Sequence, residues 1–595
     1  MDFLKYIFAF NSESPLLFTQ FYFWGFLAIV YTLFAIIYSY SASGHTAKRF
    51  GSEAVNRRLH LRNVYLMLVS WFFYYKTSGL FLLLLIFLTL SNWLIARRIN
   101  FHRLRGHKGW KIFWLVISIC IDLAMLFYYK YAYFGVDVFN SIWGTHYSIV
   151  NQIILPVGIS FYTFQVISYT VDVYRGHVLP VGNILDFGFY VSFFPQLVAG
   201  PIVRASEFVP QLYKPFHLSR RWFGIAVFWI LNGLMKKIIL SDYLAVNLID
   251  RVFDNPLLFS GFENLFALFA YSMQVYADFS GYTDIAIGVA MLFGFYLPKN
   301  FDSPYKSRNP QEFWRRWHQS LSRWLKSYVS IPLGGNRTLF GKQVPKLIAS
   351  NFNSFATMLI GGLWHGASWN FVIWGGLNGI GMIVNKIWRE MGWHIRIVAM
   401  TLTWVGIIIW QTLSPCALAQ MLVIWVGIVW AGTLVRYINY LCTLAANSLI
   451  QQSGPAGALR RSYNAVISAL STAWAVVQTF TFITFTRLFF RSSSNLDPAT
   501  ANEVAWETAT NMVGQIGGAW NSAIIPDFLY EYKAVVILFV LGMIIHWLPE
   551  RFKRRYRLWF AYLPVPVMIL AVAVAVFIVY QFVTADMQPF IYFQF

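Results

Sequence analysis

The stretch Met358-Leu-Ile-Gly-Gly-Leu-Trp-His-Gly-Ala-Ser-Trp-Asn-Phe-Val-Ile-Trp374 is apolar and rich in glycine and tryptophan, yet it contains a histidine, His365. An ionisable side chain at membrane depth is costly, so its presence there indicates a functional role. The glycines permit either close helix packing or a narrow tunnel lined by backbone, and the tryptophans could form its walls. A histidine buried only for structural reasons is the alternative interpretation.

The composition extends the expectation of a membrane protein to the whole chain. Of its 595 residues 58% are hydrophobic and only 12% are charged, whereas an average soluble domain has about twice that charged fraction. The sequence therefore predicts an all-α polytopic integral membrane protein with about twelve spans and no removable signal peptide. Several apolar runs reach or approach the length needed to cross a bilayer, namely Phe18–Tyr40, Phe81–Ala96, Lys111–Tyr129, Leu422–Tyr437 with its flanks, and Tyr562–Val583.

The positive charge is distributed in a way that predicts the orientation of the chain. The net charge is +22, and ten of the basic residues lie in 299–346. By the positive-inside rule this region is expected to face the cytoplasm, as is Arg551–Arg557. Residues 492–533 contain five acids and no base before Lys533, which favours the outer side. Because the basic clusters flank apolar spans, no nucleic-acid partner is expected.

A second histidine, His318, lies in the aromatic and basic segment Asn309–Leu325. The segment opens with the residues of a capped helix N-terminus, Asn309, Pro310 and Glu312. These signals predict one continuous helix, on which Arg316 and Arg323 lie opposite an aromatic arc and His318 lies at the edge of that arc. Such a helix is expected to lie in the membrane interface with its bases towards anionic groups. A simple interfacial anchor is the alternative.

Polar residues at three other places add to the candidate site. Asp278 and Asp284 interrupt an apolar run, so they are expected to face the protein interior, either as acid/base groups or as hydrogen-bonded struts. Ser280, Asn300 and Asn370 are expected to line a tunnel or to support it.

No other catalytic or metal-binding signature is present. The sequence lacks a GxSxG elbow, a Walker loop, a GxGxxG after a strand and an HExxH motif. The three cysteines show no metal-ligand spacing, so neither a metal nor a bound cofactor is expected. No repeat with a period of 20–50 residues occurs, which leaves an inverted-repeat transporter without support from the sequence.

Several segments in order carry a resemblance to a known family. They are 155–165, 169–175, 194–204, 276–288, 300–305, 313–325, 331–337 and 362–366. On these segments the chain resembles the membrane-bound O-acyltransferases, in the bacterial branch that includes the alginate O-acetyltransferase membrane subunit and the teichoic-acid D-alanyl transfer protein. The resemblance covers nearly the whole chain and is strongest from about 150 to 380. It predicts a single membrane domain, 1–595, in which 390–470 is longer than in a typical member.

The resemblance implies a ring of tilted helices around a thin, tunnelled centre, with re-entrant or interfacial helices. It places His365 at the tunnel as the catalytic base and His318 as the assisting second histidine. The donor would be an acetyl-coenzyme A or acyl-carrier thioester, whose phosphates we expect to bind the arginines of the basic face, Arg315, Arg316 and Arg323. A base for the nucleophile and a donor for the developing oxyanion are what acyl transfer requires.

The favoured hypothesis is an enzyme of the bacterial inner membrane that passes an acetyl group across the bilayer for O-acetylation of an extracytoplasmic polysaccharide, either an alginate-like exopolysaccharide or a cell-wall glycan. Its expected partners are membrane lipid, an acyl carrier protein and a periplasmic acyltransferase that completes the transfer. The second hypothesis is transfer of D-alanyl or another acyl group to teichoic acid or peptidoglycan. The third is a transporter or flippase whose buried polar groups line a substrate path.

Overall fold

Helices make up most of the described chain. The computed structural model describes residues 10, 16–42, 44–150, 152–197, 200–215, 218–335, 338–339, 342–449, 455–493, 500–518 and 520–583. Within these ranges the only sheet is an antiparallel pair of two-residue strands, β1 (Thr338–Leu339) and β2 (Lys342–Gln343). The predicted all-α class is confirmed.

The first half of the chain contains short helices and π-helical turns between longer helices. The helices are α1 (Phe21–Ala42), α2 (Gly44–Ser78), α3 (Leu82–Leu104), α4 (Lys108–Leu126), α5 (Ala132–Trp143), α6 (Ile159–Arg175), α7 (Ile184–Ser192), α8 (Phe194–Leu197), α9 (Ala205–Leu212), α10 (Arg220–Leu234), α11 (Asp250–Asp254) and α12 (Gly261–Leu292). The π-helical turns are Phe127–Tyr131, Met235–Asp242 and Ala245–Ile249.

The second half continues in the same manner. Its helices are α13 (Pro310–Arg316), α14 (Gln319–Leu325), α15 (Lys346–His365), α16 (Trp369–Glu390), α17 (Trp393–Leu413), α18 (Ala417–Leu449), α19 (Pro455–Ser492), α20 (Ala501–Gly518), α21 (Ile524–Glu531), α22 (Lys533–Trp547), α23 (Glu550–Tyr562) and α24 (Val565–Gln581). The π-helical turn Lys326–Ser330 follows α14, and short 3-10 turns lie at Gly79–Phe81, Pro256–Leu258 and Pro304–Lys306.

Six helical stretches of the described chain are long and apolar enough to cross a membrane. They are Leu59–Leu104, Lys108–Trp143, Arg220–Asp254, Trp393–Leu413, Ala417–Leu444 and Ser462–Ser492. Two bent pairs, α21 with α22 (79°) and α23 with α24 (120°), raise the number to eight if each pair is one span. The chain is a multi-pass membrane protein, but the predicted number of about twelve spans is not confirmed.

Helix α12 is buried along almost its whole length. Ser260 and Glu263 form a capping box at its start, with Glu263 Oε2 accepting the Ser260 N–H at 2.8 Å. Gly281 on α12 packs directly against Gly233 on α10, where an added Cβ would lie 2.8 Å from the Gly233 carbonyl oxygen. Small residues at such a contact let two helix backbones approach closely in a membrane.

Helices α15 and α16 form the antiparallel pair that carries His365. Gly362 and Gly375 lie at their contact, because a Cβ on Gly362 would meet the Phe371 carbonyl oxygen at 2.3 Å and one on Gly375 would meet the Met358 carbonyl oxygen at 2.5 Å. Of the two possibilities for the glycine-rich stretch, close helix packing is therefore present at these positions.

The predicted continuous helix from Asn309 is wrong. Its start is as expected, since Asn309 Oδ1 accepts the Glu312 N–H at 2.9 Å, but α13 ends at Arg316 and α14 begins after a break. His318 lies in the break, in the left-handed conformation (φ 42°). The extended chain at 300–302 takes up backbone groups that a helix would use: Asp302 N–H donates to the Arg316 carbonyl, and Gln319 N–H to the Asn300 carbonyl, both at 2.9 Å.

Candidate functional site

His365 is the last residue of α15 and is buried, with 2% of its surface exposed. Aromatic rings surround its imidazole. The ring centroids of Trp364, Trp374 and Phe490 lie 4.9, 5.0 and 5.1 Å from that of His365. Two of the three tryptophans of this stretch therefore enclose the histidine, whereas Trp369 is half exposed.

Two side chains from the π-helical turn that follows α4 cap the end of α15. The Lys130 ammonium donates to the carbonyl oxygens of Trp364 (2.7 Å) and His365 (2.9 Å). The Tyr131 hydroxyl donates to the carbonyl oxygen of Leu363 at 2.5 Å. The last carbonyls of a helix lack partners within the helix and carry partial negative charge, so a cation is stabilising there. These hydrogen bonds fix the backbone at His365 to the turn that follows α4.

His318 is fully buried in the break between α13 and α14, not at the edge of an interfacial helix as predicted. Its Nδ1 lies 3.2 Å from Asn300 Oδ1. The same oxygen accepts the Ser320 backbone N–H (3.1 Å) and hydroxyl (3.0 Å), which identifies it as the acceptor. The hydrogen-bond network thus assigns the His318 proton to Nδ1, and in the neutral ring Nε2 is a proton acceptor.

One indole joins the two histidines. The Trp364 ring centroid lies 5.8 Å from that of His318 and 4.9 Å from that of His365. Phe279 of α12 packs edge-on against the other side of His318, at 4.6 Å. The structure therefore brings both predicted histidines into a single aromatic cluster.

His365 lines two cavities. The first, the Arg487 cavity, is small, with a volume of about 20 Å³, and contains Arg487, Asn378 and Thr486 in its lining. The second, the Lys326 cavity, is larger, with a volume of about 260 Å³. The two linings share three residues, His365, Trp314 and Trp374. These side chains form the wall between the two spaces.

The Lys326 cavity follows one face of α15. The residues of α15 that line it are spaced as a helical stripe: Ser354, Thr357, Met358, Gly361 and His365. At 1.5 Å per residue this stripe extends over roughly 16 Å. The lining also includes Lys326, in the region predicted to face the cytoplasm. The tunnel that the sequence suggested has here a largely apolar lining, with Ser354 and Thr357 among its polar members, that leads to His365.

Arg487 of α19 gives the other cavity a positive charge. Its guanidinium is buried, with 5% of the residue exposed, and its Cζ lies 4.1 Å from the centre of the Trp317 ring. Beside it, Asn378 Nδ2 donates to Thr486 Oγ1 at 3.3 Å. A cation that stacks on an aromatic face in a site shielded from water interacts more strongly with a developing negative charge than it would in solution.

The two carboxylates of α12 face the interior, as predicted. Asp278 pairs with Lys237 and Asp284 with Lys236, each with an N–O distance of 2.6 Å. Neither lines the Arg487 or Lys326 cavity. These ion pairs link α12 to the π-helical turn after α10, which is the arrangement that the strut interpretation predicts.

The other predicted polar residues have separate surroundings. Asn300 orients His318, as described above. Ser280 is buried on α12, and Asn370 Nδ2 donates to the Ala505 carbonyl at 3.0 Å. Neither Ser280 nor Asn370 lines the cavities at His365.

The three arginines predicted to bind the donor lie outside both cavities. Arg316 forms an ion pair with Glu312, with an N–O distance of 2.9 Å. Arg323 forms one with Glu207 of α9, with an N–O distance of 3.2 Å. Arg315 is exposed. Their role in donor binding stays a prediction.

Lys130 and Arg487 were not among the site residues predicted from the sequence. A signal was available, because each is an isolated cation in an apolar span, the same feature that identified His365. Among the described residues, no cluster of three or more His, Cys, Asp and Glu side chains is placed to hold a metal ion.

Comparison with known proteins defines the family. The sequence model of the membrane-bound O-acyltransferase family matches residues 177–411, which include both histidines. A peptidoglycan O-acetyltransferase of Helicobacter pylori is 36% identical over 380 residues, which are 58% of this chain and 70% of that protein. The chain belongs to the membrane-bound O-acyltransferase family.

The names of two other groups of relatives give different substrates. A probable alginate O-acetylase of Pseudomonas aeruginosa is 39% identical over 358 residues, 58% of this chain and 66% of that protein. A teichoic acid D-alanyltransferase of Streptococcus thermophilus is 30% identical over 245 residues, 39% of this chain and 57% of that protein. The chain spans slightly less than two thirds, 61–66%, of the alginate O-acetylases that it matches.

Proposed function

We propose that this chain is a membrane O-acyltransferase that takes an acetyl group from a cytoplasmic thioester and passes it across the membrane for O-acetylation of an extracytoplasmic polysaccharide. The observation that carries the proposal is the position of His365. It forms part of the wall between a larger and a smaller cavity, so a thioester in the larger cavity and a hydroxyl group that enters the smaller one would both reach it. Bringing two reactants to one base is the main requirement of the reaction.

In the proposed reaction His365 takes the proton from the attacking hydroxyl, which belongs to the acceptor or to a relay nucleophile. The hydroxyl oxygen bonds to the thioester carbonyl carbon, and negative charge develops on the carbonyl oxygen. When the carbon–sulfur bond breaks, His365 returns the proton to the leaving thiolate. Arg487 lines the smaller cavity, across His365 from the donor, and would stabilise the charge on the carbonyl oxygen once that oxygen reaches the wall between the cavities.

In this proposal His318 either orients the attacking hydroxyl or accepts a proton at Nε2. Its Nδ1–H is held by Asn300, so the neutral ring has no second N–H with which to polarise a carbonyl. Polarisation of the thioester carbonyl is assigned to Arg487. The shared contact with Trp364 keeps His318 beside the reacting centre.

The donor would enter through the Lys326 cavity. A thioester arm laid along the α15 stripe would bring its carbonyl to His365 while its phosphates remain near Lys326, the one basic residue of the lining besides His365. Acetyl-coenzyme A and an acyl-carrier thioester both have this form. The acceptor side would be completed by a periplasmic acyltransferase or by the polysaccharide itself.

Acetyl is favoured over D-alanyl because the relatives named for O-acetylation match a larger share of the chain at higher identity. The test uses membranes from cells that express the chain. They receive either radiolabelled acetyl-coenzyme A or a radiolabelled D-alanyl carrier thioester, and alkali-labile label is measured on polysaccharide and protein. Label from acetyl alone supports the proposal. Label from D-alanyl alone supports the second hypothesis, and transport of substrate without any label on an acceptor supports a flippase.

The proposed role of Arg487 is tested in the same assay. Arg487→Gln is expected to lower the maximal transfer rate by about a hundredfold, as removal of an oxyanion donor does in other acyl transfer enzymes, whereas Arg487→Lys should retain more of the rate. If the two variants match the unchanged protein in rate, Arg487 has only a structural role.

A further inference from the structure

A third cavity lies away from both histidines. This space, the Lys553 cavity, has a volume of about 290 Å³ and lies between α10 with its following π-helical turn, α12, α22 and α23. Neither His318 nor His365 is in its lining. Phe301 in its wall packs against Trp317 of the Arg487 cavity, with ring centroids 5.0 Å apart, so an aromatic layer separates the two spaces.

One end of the Lys553 cavity is cationic. Its charged lining comprises Lys236, Lys299, Lys553, Arg557, Asp284 and Glu550. The two carboxylates are used within the cluster, since Asp284 pairs with Lys236 at 2.6 Å and Glu550 with Lys299 at 3.4 Å. Asp302, outside the lining, also pairs with Lys299 at 3.1 Å. Four cations against these three carboxylates still leave this end positively charged.

Lys553 and Arg557 face the cavity from one side of α23. Lys553 Nζ donates to two neutral oxygens, Ser303 Oγ at 2.7 Å and the His546 carbonyl at 2.8 Å. The Arg557 guanidinium lies over the Trp229 ring, with its Cζ 4.9 Å from the ring centre. These contacts are with neutral groups, so they leave the charge of both side chains available to an anion in the cavity.

Along α22, away from His546 and its contact with Lys553, the cavity lining becomes apolar, and this part is the apolar end. Leu541 lies there and Met235 and Ile545 border it, with 48%, 41% and 55% of their surfaces exposed. Leu541 and Ile545 lie on α22, one of the helices apolar enough to contribute to a span. Side chains of this kind on a membrane-facing surface contact lipid, so the cavity opens laterally to the hydrocarbon of the bilayer.

We infer that the Lys553 cavity binds an anionic phospholipid of the surrounding membrane, with the phosphate at Lys553 and Arg557 and an acyl chain along Leu541 and Ile545. The combination of a cationic end and a lipid-facing apolar end is complementary to a charged amphiphile. Helix α23 supports this placement, because its further basic residues, Arg551, Arg554 and Arg555, are exposed on the same interfacial helix. This site does not depend on the proposed acyl transfer.

The test is lipid binding to the purified full-length protein in detergent, measured by native mass spectrometry. Phosphatidylglycerol is compared with phosphatidylcholine and with inorganic phosphate. We expect one phosphatidylglycerol to bind at least about tenfold more tightly than phosphatidylcholine, and the double variant Lys553→Gln/Arg557→Gln to lose that preference. The matched control, Arg554→Gln/Arg555→Gln, removes the same charge from the exposed face of α23 and should retain the preference.

A second variant tests the apolar end without changing charge. Leu541→Trp narrows the mouth of the cavity and is expected to reduce phosphatidylglycerol binding while the protein elutes as a single species. The inference is overturned if the control double variant loses binding as much as the Lys553 variant, because general surface charge would then explain it. Equal binding of phosphatidylcholine, full displacement by inorganic phosphate, or unchanged binding in both cavity variants would also overturn it.

Discussion

The ammonium of Lys130 lies 2.9 Å from the carbonyl oxygen of His365, and it donates there from a helix far away in the sequence. The contact places a cation at the C-terminal end of α15, where the helix dipole is negative. The side chain of His365 can act only if its backbone is held, because α15 ends at this residue. Lys130 therefore links the packing of α4 and the turn after it to the proposed chemistry.

Replacement of Lys130 should lower both stability and transfer. Lys130→Met leaves two helix-end carbonyls without their donor, which is expected to cost about 1–3 kcal/mol of unfolding free energy. Tyr131→Phe removes one neutral hydrogen bond and should cost less. Thermal unfolding in detergent and acyl transfer are measured together, with Lys111→Met as the control, since Lys111 contacts Tyr174 and not α15. A Lys130→Met protein with unchanged unfolding temperature and rate would show that the contact is dispensable.

Loss of the Asn300 side chain should impair transfer through His318. Asn300→Ala removes the acceptor that fixes the His318 tautomer, so the rate is expected to fall by about tenfold, part of what a positioned base contributes. Asn300→Asp retains the acceptor oxygen and should recover part of the rate. Ser320→Ala is the control, because it removes the Ser320 hydroxyl with its bonds to Asn300 and Ile202 and its 3.5 Å contact to His318, but leaves the contact between Asn300 and His318 in place. Equal rates for Asn300→Ala and Ser320→Ala would argue against a role for the tautomer.

A larger side chain at Gly361 should obstruct the donor. Gly361 lines the Lys326 cavity, and a Cβ there meets only Leu325 Cδ1, at 3.3 Å. Gly361→Leu is therefore expected to fold but to lower kcat/KM for the thioester by about tenfold. Gly376→Leu is the control on α16, since Gly376 lies outside the cavity lining and a Cβ there meets Leu359 at 3.7 Å. If both variants use the donor equally well, the Lys326 cavity is not its route.

The predicted orientation can be tested on intact cells. The three cysteines are exposed, so they are first replaced by serine. Arg308→Cys and Glu507→Cys, each at an exposed position, are then introduced singly and treated with a membrane-impermeant maleimide. We expect label at position 507 and none at 308, because basic segments are retained in the cytoplasm. The opposite pattern would invert the orientation and with it the sides assigned to donor and acceptor.

The sequence predicted the class of protein and the two histidines because both depend on local composition. Apolar runs identify spans, and an ionisable residue such as His365 within one indicates function. The break at His318 was not predictable in this way, since it depends on Asn300 and Asp302, which occupy backbone groups of the segment from outside it. The helix-capping residues at Asn309 correctly predicted where the helix begins, but such residues do not show where a helix ends.

The partners of His365 were missed for a related reason. Lys130 and Arg487 lie far from it in the chain, and only the packing of α4, α15 and α19 brings them close. The number of spans also depends on such packing, because bent pairs such as α21 with α22 can be one span or two short segments. Hydropathy counts apolar residues but does not record the angle between helices.

The most direct test of the account is acyl transfer by the His365→Ala protein. The variant and the unchanged protein are purified, checked for a single elution peak and a matching unfolding temperature, and assayed with the same thioester and acceptor. A positioned base contributes roughly 10²–10⁴-fold, so transfer should fall by at least about a hundredfold in the folded variant. A well-folded His365→Ala protein that transfers the acyl group at nearly the original rate would contradict the assignment of His365 as the catalytic base.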